Sequence, residues 1–239
     1  MKDIMKIFND YAKTYDLKNK NIMGKFHHSY RVMEFSIEIA KSLNMSEREV
    51  YIVSVAGLFH DIARFKQWTE YNTYIDSKSF DHGSVGYDIT KELFIDKFNL
   101  NEEEKEIVLK AIKNHNKYKV EEGLTDIELR VSYIVRDADK LDIIKEQGII
   151  TKEDSVKEEL VNLLLEHKMV PNDLAITDMD SLFRLIAFIF DLNFEYSFKY
   201  LLHKKIIENK INLIEIYGNR ELSELQDNLI NYMKGRLTC

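Results

Sequence analysis

Val53-Ser54-Val55-Ala56-Gly57-Leu58-Phe59-His60-Asp61-Ile62-Ala63-Arg64-Phe65 is apolar on nearly every side, with no Pro and a single Gly. A helix that is hydrophobic all round belongs at the centre of a domain rather than on its surface. Into it the sequence sets an adjacent imidazole and carboxylate, His60 and Asp61. Burying those groups costs several kcal/mol each unless something pairs with them. A bound divalent cation would neutralise the Asp and take a lone pair from the His. The other reading is a His-Asp pair near the helix end, hydrogen-bonded to backbone or water, and this stretch by itself leaves both open.

Around it, the 239 residues include only 8 Gly and 1 Pro. Helix-period patterning runs nearly throughout, with no run of strict alternation, so the expected class is all-α. An apolar content of 45% with 11% aromatics excludes global disorder. The net charge of −7, without a dense Lys/Arg stripe, argues against stable nucleic-acid binding and against attraction to an anionic membrane. An anionic ligand would need a metal and a few local basic residues. The single cysteine, Cys239, leaves no disulfide framework and no Cys-based zinc site. That fits a reducing cytoplasm, where the protein is expected. The opening Met1-Lys2-Asp3-Ile4 is broken by charges and is not read as a secretory signal. The longest apolar run, about Leu185 to Phe190, is too short to span a bilayer.

Along the chain, helices are expected over Asp3 to Tyr15, then, after a polar stretch Asp16 to Lys25, along the stripe His28, Val32, Phe35, Ile39 and Leu43. Ser46 and Glu49 form a capping box that opens the central helix. Gln67 to Ser79 reads as a Tyr-rich loop, Asp81 to Lys97 as a helix with Val85, Ile89 and Leu93 inward. Asn101 and Glu104 cap a helix to about Tyr118, and Thr125 and Glu128 box another over Asp126 to Glu146. Ser155 to Lys168 is a shorter helix. Thr177 or Asp178 opens a long one to about Glu208, and Leu213 to Lys234 is the last. The turn near Gly148 to Asp154 would divide a core at 25–146 from a carboxy-terminal extension at 150–239 packed on it, the whole forming one folding unit.

Helical spacing picks out which histidines face inward. His28 lies on the apolar stripe of its helix, whereas His27 falls with Arg31 and Glu34 on the wet side. His82 is in phase with Val85, Ile89 and Leu93, and His115 with Val108, Ala111 and Ile112. Three helices thus each turn a His toward the helix that carries His60 and Asp61. A lone inward His is ordinarily a satisfied core residue, but several converging on a buried Asp suit a divalent metal. His167, beside Pro171 without an acidic companion, reads as structural, and His203, next to Lys204 and Lys205, as surface. In Arg136-Asp137-Ala138-Asp139-Lys140-Leu141-Asp142 the helical wheel places Asp137 near solvent. Periodicity alone does not choose between Asp139 and Asp142.

His28 in His-Ser-Tyr-Arg-Val, then His60-Asp61, then Asp139 in Ala138-Asp139-Lys140-Leu141-Asp142 resembles the HD-domain superfamily of metal-dependent phosphohydrolases. His60-Asp61-Ile62-Ala63-Arg64-Phe65, Asp81-His82-Gly83-Ser84-Val85-Gly86 and Ile112-Lys113-Asn114-His115 resemble a bacterial subgroup with two extra histidines. The likeness runs from about Lys25 to Glu146 and implies an HD-type helical bundle with additional carboxy-terminal helices. By the same resemblance His28, His60, Asp61 and Asp139 would hold a first metal, which selects Asp139 over Asp142. His82 and His115 would hold a second, with Asp61 bridging. The chain departs from the HD-GYP phosphodiesterases: Asn116 follows His115 and no Gly-Tyr-Pro motif is present.

The implied activity is hydrolysis of a phosphate ester or anhydride of a small phosphorylated substrate, a nucleotide above all, with one or two ions of Mn, Fe, Ni, Co, Zn or Mg. Asp61 would orient the water. Arg64, one turn after His60, and then Lys140, directly after Asp139, are the phosphate-facing candidates, each with a surface ion pair as the alternative, ahead of Lys113 and Lys117. Trp68, Tyr71 and Tyr74 offer faces that could stack a base or close the pocket, with ordinary core or surface packing the favoured reading for any one of them. The aromatics of Leu182 to Leu202 are expected mostly in the core, with a homodimer contact left open. A di-iron oxygenase of the same fold and a non-catalytic nucleotide sensor are the alternative readings.

Overall fold

The computed structural model describes residues 1–146, 148, 150–151 and 154–237; Cys239 and residues 149, 152 and 153 of the turn expected near Gly148 lie outside them. Its regular structure is helical, with no strand among the described residues, which is the expected class. The chain divides into two compact units, Met1–Asp139 and Lys140–Cys239. No helix among the described residues is long and apolar enough to cross a membrane.

The first unit contains α1 (Lys2–Ala12), α2 (Lys20–Ser42), α3 (Glu47–Phe59), α4 (Ala63–Tyr71), α5 (His82–Leu93), α6 (Glu102–Asn114) and the greater part of α7 (Asp126–Lys145). Helix α3 is its axis. Every residue from Ile52 to Phe59 is buried, and the helix packs against α2 and α6. Phe8 of α1 closes one end of this core, with its ring against Phe26, Tyr30, Phe59 and Phe65. The capping boxes at Ser46/Glu49 and Asn101/Glu104 are both formed. Thr125 and Glu128 exchange their bonds too, at 2.7 and 3.4 Å.

Several boundaries differ from the sequence reading. The polar stretch to Lys25 is helical from Lys20, because the Asn19 side chain accepts from the backbone of Asn21 and Ile22 and caps α2. The central helix does not run on through Phe65: it stops at Phe59, turns through His60-Asp61-Ile62, and resumes as α4. The loop expected from Gln67 is helical as far as Tyr71, where Asn72 ends it in the left-handed region. Helix α5 turns a different face inward. Leu93 is 48% exposed, and the buried positions are His82, Gly83, Gly86 and Thr90. A Cβ on Gly83 would stand 2.9 Å from the Lys113 carbonyl, and one on Gly86 3.3 Å from the Ile112 side chain. Close approach to α6 therefore sets the phase of α5, and two glycines rather than the apolar triad carry it.

The second unit holds α8 (Glu158–Leu165), α9 (Asp178–Ala187), α10 (Glu195–His203), α11 (Ile206–Gly218) and α12 (Ser223–Gly235). The long helix expected from Thr177 to Glu208 is three pieces. A 3₁₀ turn at Phe188–Asp191, extended backbone at Leu192 and Phe194, and Lys205 at φ 52° interrupt it. The last expected helix is likewise two, since Asn219 after Gly218 takes φ 45°. Gly-Asn is a usual helix ending, so that break had a sequence signal. Of the aromatics in this stretch only Phe183 and Phe198 are fully buried. His167, at φ 55°, packs on Phe190 and Tyr232, which fits its structural assignment, and His203 is exposed.

Candidate metal centre

Four imidazoles and two carboxylates of the first unit converge. His28 projects from α2. His60 follows the last residue of α3, and its Nδ1 donates to the Gly57 carbonyl at 2.8 Å. His115 repeats the device at the end of α6, donating from Nδ1 to the Ile112 carbonyl at 2.7 Å. His82, the first residue of α5, donates from Nδ1 to Asp76 Oδ2 at 2.6 Å. A carbonyl or carboxylate oxygen only accepts, so in these three rings the Nδ1 carries the hydrogen and Nε2 presents a lone pair.

The Nε2 atoms of the four rings face one another in two pairs. His82 Nε2 and His115 Nε2 are 3.0 Å apart, and His28 Nε2 and His60 Nε2 are 3.3 Å apart. Burial favours the neutral form of two of these rings: it lowers His82 below the usual histidine range and His115 to about 4. Asp61 lies between the two pairs. Its Oδ2 is 3.5 Å from His28 Nε2 and 3.6 Å from His60 Nε2. Its Oδ1 is 3.5 Å from both His82 Nε2 and His115 Nε2. Asp139, from α7, places Oδ1 3.0 Å from His28 Nε2 and 3.7 Å from His60 Nε2. Burial works against ionising these acids, but the charges of Lys25 and Arg64 beside Asp61, and the bond from His28 to Asp139, hold both well below the ordinary carboxylate range.

This donor set fits a divalent ion. Ligand atoms of His28, His60 and Asp139 lie within 4.8 Å of one another, as do those of His60, Asp61 and His115. Two nitrogens each about 2.1 Å from one ion stand about 3 Å apart when cis, close to the spacing of both His pairs. Neutral imidazoles with opposed lone pairs repel unless a cation lies between them. Mixed His/carboxylate donors suit Mn, Fe, Co, Ni or Zn.

The remaining candidates are placed differently. Arg64 reaches the site: its Nε donates to Asp61 Oδ1 at 3.3 Å, while one Nη donates to Gln67, to the Tyr74 carbonyl and to Asp76. Lys140, almost buried, pairs with Asp191 at 2.8 Å within the second unit. Lys113 and Lys117 pair with Glu121 and Asp81. Tyr74 lies under Lys25 and Arg64 and against Trp68, with its hydroxyl on the Asn21 carbonyl, whereas Tyr71 is exposed. Asp137, expected near solvent, is fully buried, because α7 is enclosed on almost every side from Val131 to Lys140.

Sequence reasoning missed two residues. Lys25 Nζ is 2.8 Å from Asp61 Oδ2, and its signal was its place three residues before His28 on the same helix face. Asp76 orients His82 and is itself bound by Arg64, Gln67 and Asn116. Burial would raise it, but the bonds from His82 and Gln67, with the charge of Arg64, hold it at about 2. Nothing in the local pattern marked Asp76, which sits in a short 3₁₀ turn.

No curated protein and no solved structure matches the chain. Residues 26–144 match the HD domain family, a family of metal-dependent hydrolases, and that span contains all six converging residues. The ordered histidines and aspartates of the sequence, their convergence in the fold and this match agree: the chain belongs to the HD-domain superfamily.

Proposed function

We propose that the protein is a phosphohydrolase that cleaves a phosphate ester or anhydride, with a nucleotide as the favoured substrate class. The observation that carries the reading is Asp61, whose two oxygens each face a separate pair of imidazoles. His28, His60, Asp61 and Asp139 would hold one divalent ion, and His82, His115 and the other oxygen of Asp61 a second. Ions bound there supply a water ionised near neutral pH and polarise the phosphoryl oxygens.

The chain's own groups do the rest. Asp61 is kept ionised by Lys25 and Arg64, so it can accept a hydrogen bond and align an attacking water. Lys25, with 20% of its side chain exposed, and Arg64, with 13%, bring positive charge to the same carboxylate. An incoming phosphate can exchange for that contact and leave the carboxylate to its other partners. Arg64 is held by Gln67, Tyr74 and Asp76 and thus presents its guanidinium without first losing much rotamer freedom. Lys140, committed to Asp191, is the weaker of the two cations expected from the sequence.

The test is elemental analysis of protein purified without chelator, paired with a screen of nucleotides and small phosphate esters. Bound metal with phosphate release is the expected result. Iron with dioxygen consumption and no phosphate release would instead establish an oxygenase, and metal-replete protein inert to the whole panel would establish a sensor.

A further inference from the structure

We propose that a cavity within the Lys140–Cys239 unit binds a small organic anion with a phosphate or carboxylate head, and that Lys210 is its buried counter-charge. The cavity has a volume of about 540 Å³, inside the range of about 300–1,000 Å³ common to small-molecule sites. Its walls include Lys210, Lys204, Asn209, Tyr200, Ile206 and Leu213. It shares no residue with the metal centre, so the proposal does not rest on the phosphohydrolase reading.

Lys210 is the unusual member. It extends from the apolar face of α11, among Ile207, Ile211 and Ile214, all fully buried, and is itself only 5% exposed. Its ammonium donates to the Glu146 carbonyl. Among the described residues no carboxylate lies within ion-pair distance of it, and an ammonium has three donors to satisfy. The acidic side chain lining the cavity, Glu146, is exposed and acts on Lys210 only through its longer-range field. A buried ammonium without a counter-ion costs several kcal/mol, and an aliphatic side chain here would carry no such cost.

Lys210 lines a cavity that Lys204 and Lys145 also line, and its bond to the Glu146 carbonyl leaves donors for an anion. The apolar part of the wall, Ile206 and Leu213 with the Tyr200 ring, suits an organic body attached to that head rather than a bare ion.

Pyridoxal phosphate is a suitable probe, since it joins an aromatic body and a phosphate to an aldehyde. The neutral amine adds to the aldehyde, water leaves, and added borohydride delivers hydride to fix the resulting imine as a secondary amine. At pH 8, peptide mapping of the full chain should find Lys210 labelled at least about tenfold above exposed lysines such as Lys199 and Lys234. Excess inorganic phosphate or citrate should protect Lys210, and the anion that protects at lower concentration identifies the head group. Lys204→Glu should weaken the labelling, and Lys210→Met should abolish that peptide's label with the helical circular dichroism retained. Labelling spread over surface lysines with Lys210 unmodified, or Lys210 labelling that neither anion reduces, overturns the proposal. Should Lys210→Met fail to fold, the competition on the unaltered chain still decides.

Discussion

Asp76 Oδ2 accepts the Nδ1 hydrogen of His82 at 2.6 Å, and so fixes both the tautomer and the direction of that ring. The same carboxylate gathers Arg64, Gln67 and Asn116, which tie α4 and the end of α6 to the start of α5. Carboxylates behind a metal-binding His typically contribute 10–100-fold in affinity. Asp76→Ala is therefore expected to weaken, by about that factor, the metal held by His82 and His115, and to leave the other ion in place. Calorimetric metal titration of the stripped protein checks this, and equal loss of both ions would remove the special role of Asp76.

His60 belongs to both groups of converging ligand atoms, whereas His28 belongs to one. His60→Ala should lose turnover and the ion of the His28/Asp139 set and weaken the one at His82 and His115, whereas His28→Ala should leave that second ion at full affinity. Both variants should keep the helical signal, because α3 is anchored by its apolar residues rather than by the ring. Metal stoichiometry measured beside circular dichroism distinguishes the two outcomes. Phosphate release that survives in His60→Ala would count heavily against the assignment.

Gly83 lets α5 approach α6 so closely that a Cβ there would meet the Asn116 side chain and the Lys113 carbonyl. The backbone cannot yield as a side-chain tip can, so Gly83→Ala should cost about 1–3 kcal/mol, as overpacking does. It should also spread His82 from His115. Urea unfolding measures the first effect, and metal affinity the second.

Lys210 yields a pH prediction. Burial lowers it from 10.5 to about 8 in the folded chain. Between those values the unfolded chain binds the extra proton, so stability rises with pH through this window. Below pH 8 the buried charge costs about 3 kcal/mol in full. Lys210→Met should accordingly be the more stable protein at pH 7, and the gap should close as pH rises toward 10. The other cavity-lining groups, Lys145, Glu146, Tyr200 and Lys204, are present in both proteins and cancel in the difference. Urea unfolding of both proteins at pH 7, 8, 9 and 10 tests it; a constant gap would mean that Lys210 is not the group responsible.

The sequence by itself determined the helical class, the capping boxes that start α3, α6 and α7, and the inward face of His28, His60 and His115. These are local properties: a cap spans four residues, and a stripe shows itself within three turns. It also determined the family, through the order of its histidines and aspartates. Only the tertiary structure decided which groups meet. Lys25 and Asp61 touch across 36 positions of sequence, and no periodicity reports what stands opposite a buried face. The phase of α5 was misread for the same reason, since closeness of the next helix, through Gly83 and Gly86, outweighed the apolar triad. Asp137 is buried and Leu93 is not because burial is set by neighbouring elements, and a helical wheel contains only one.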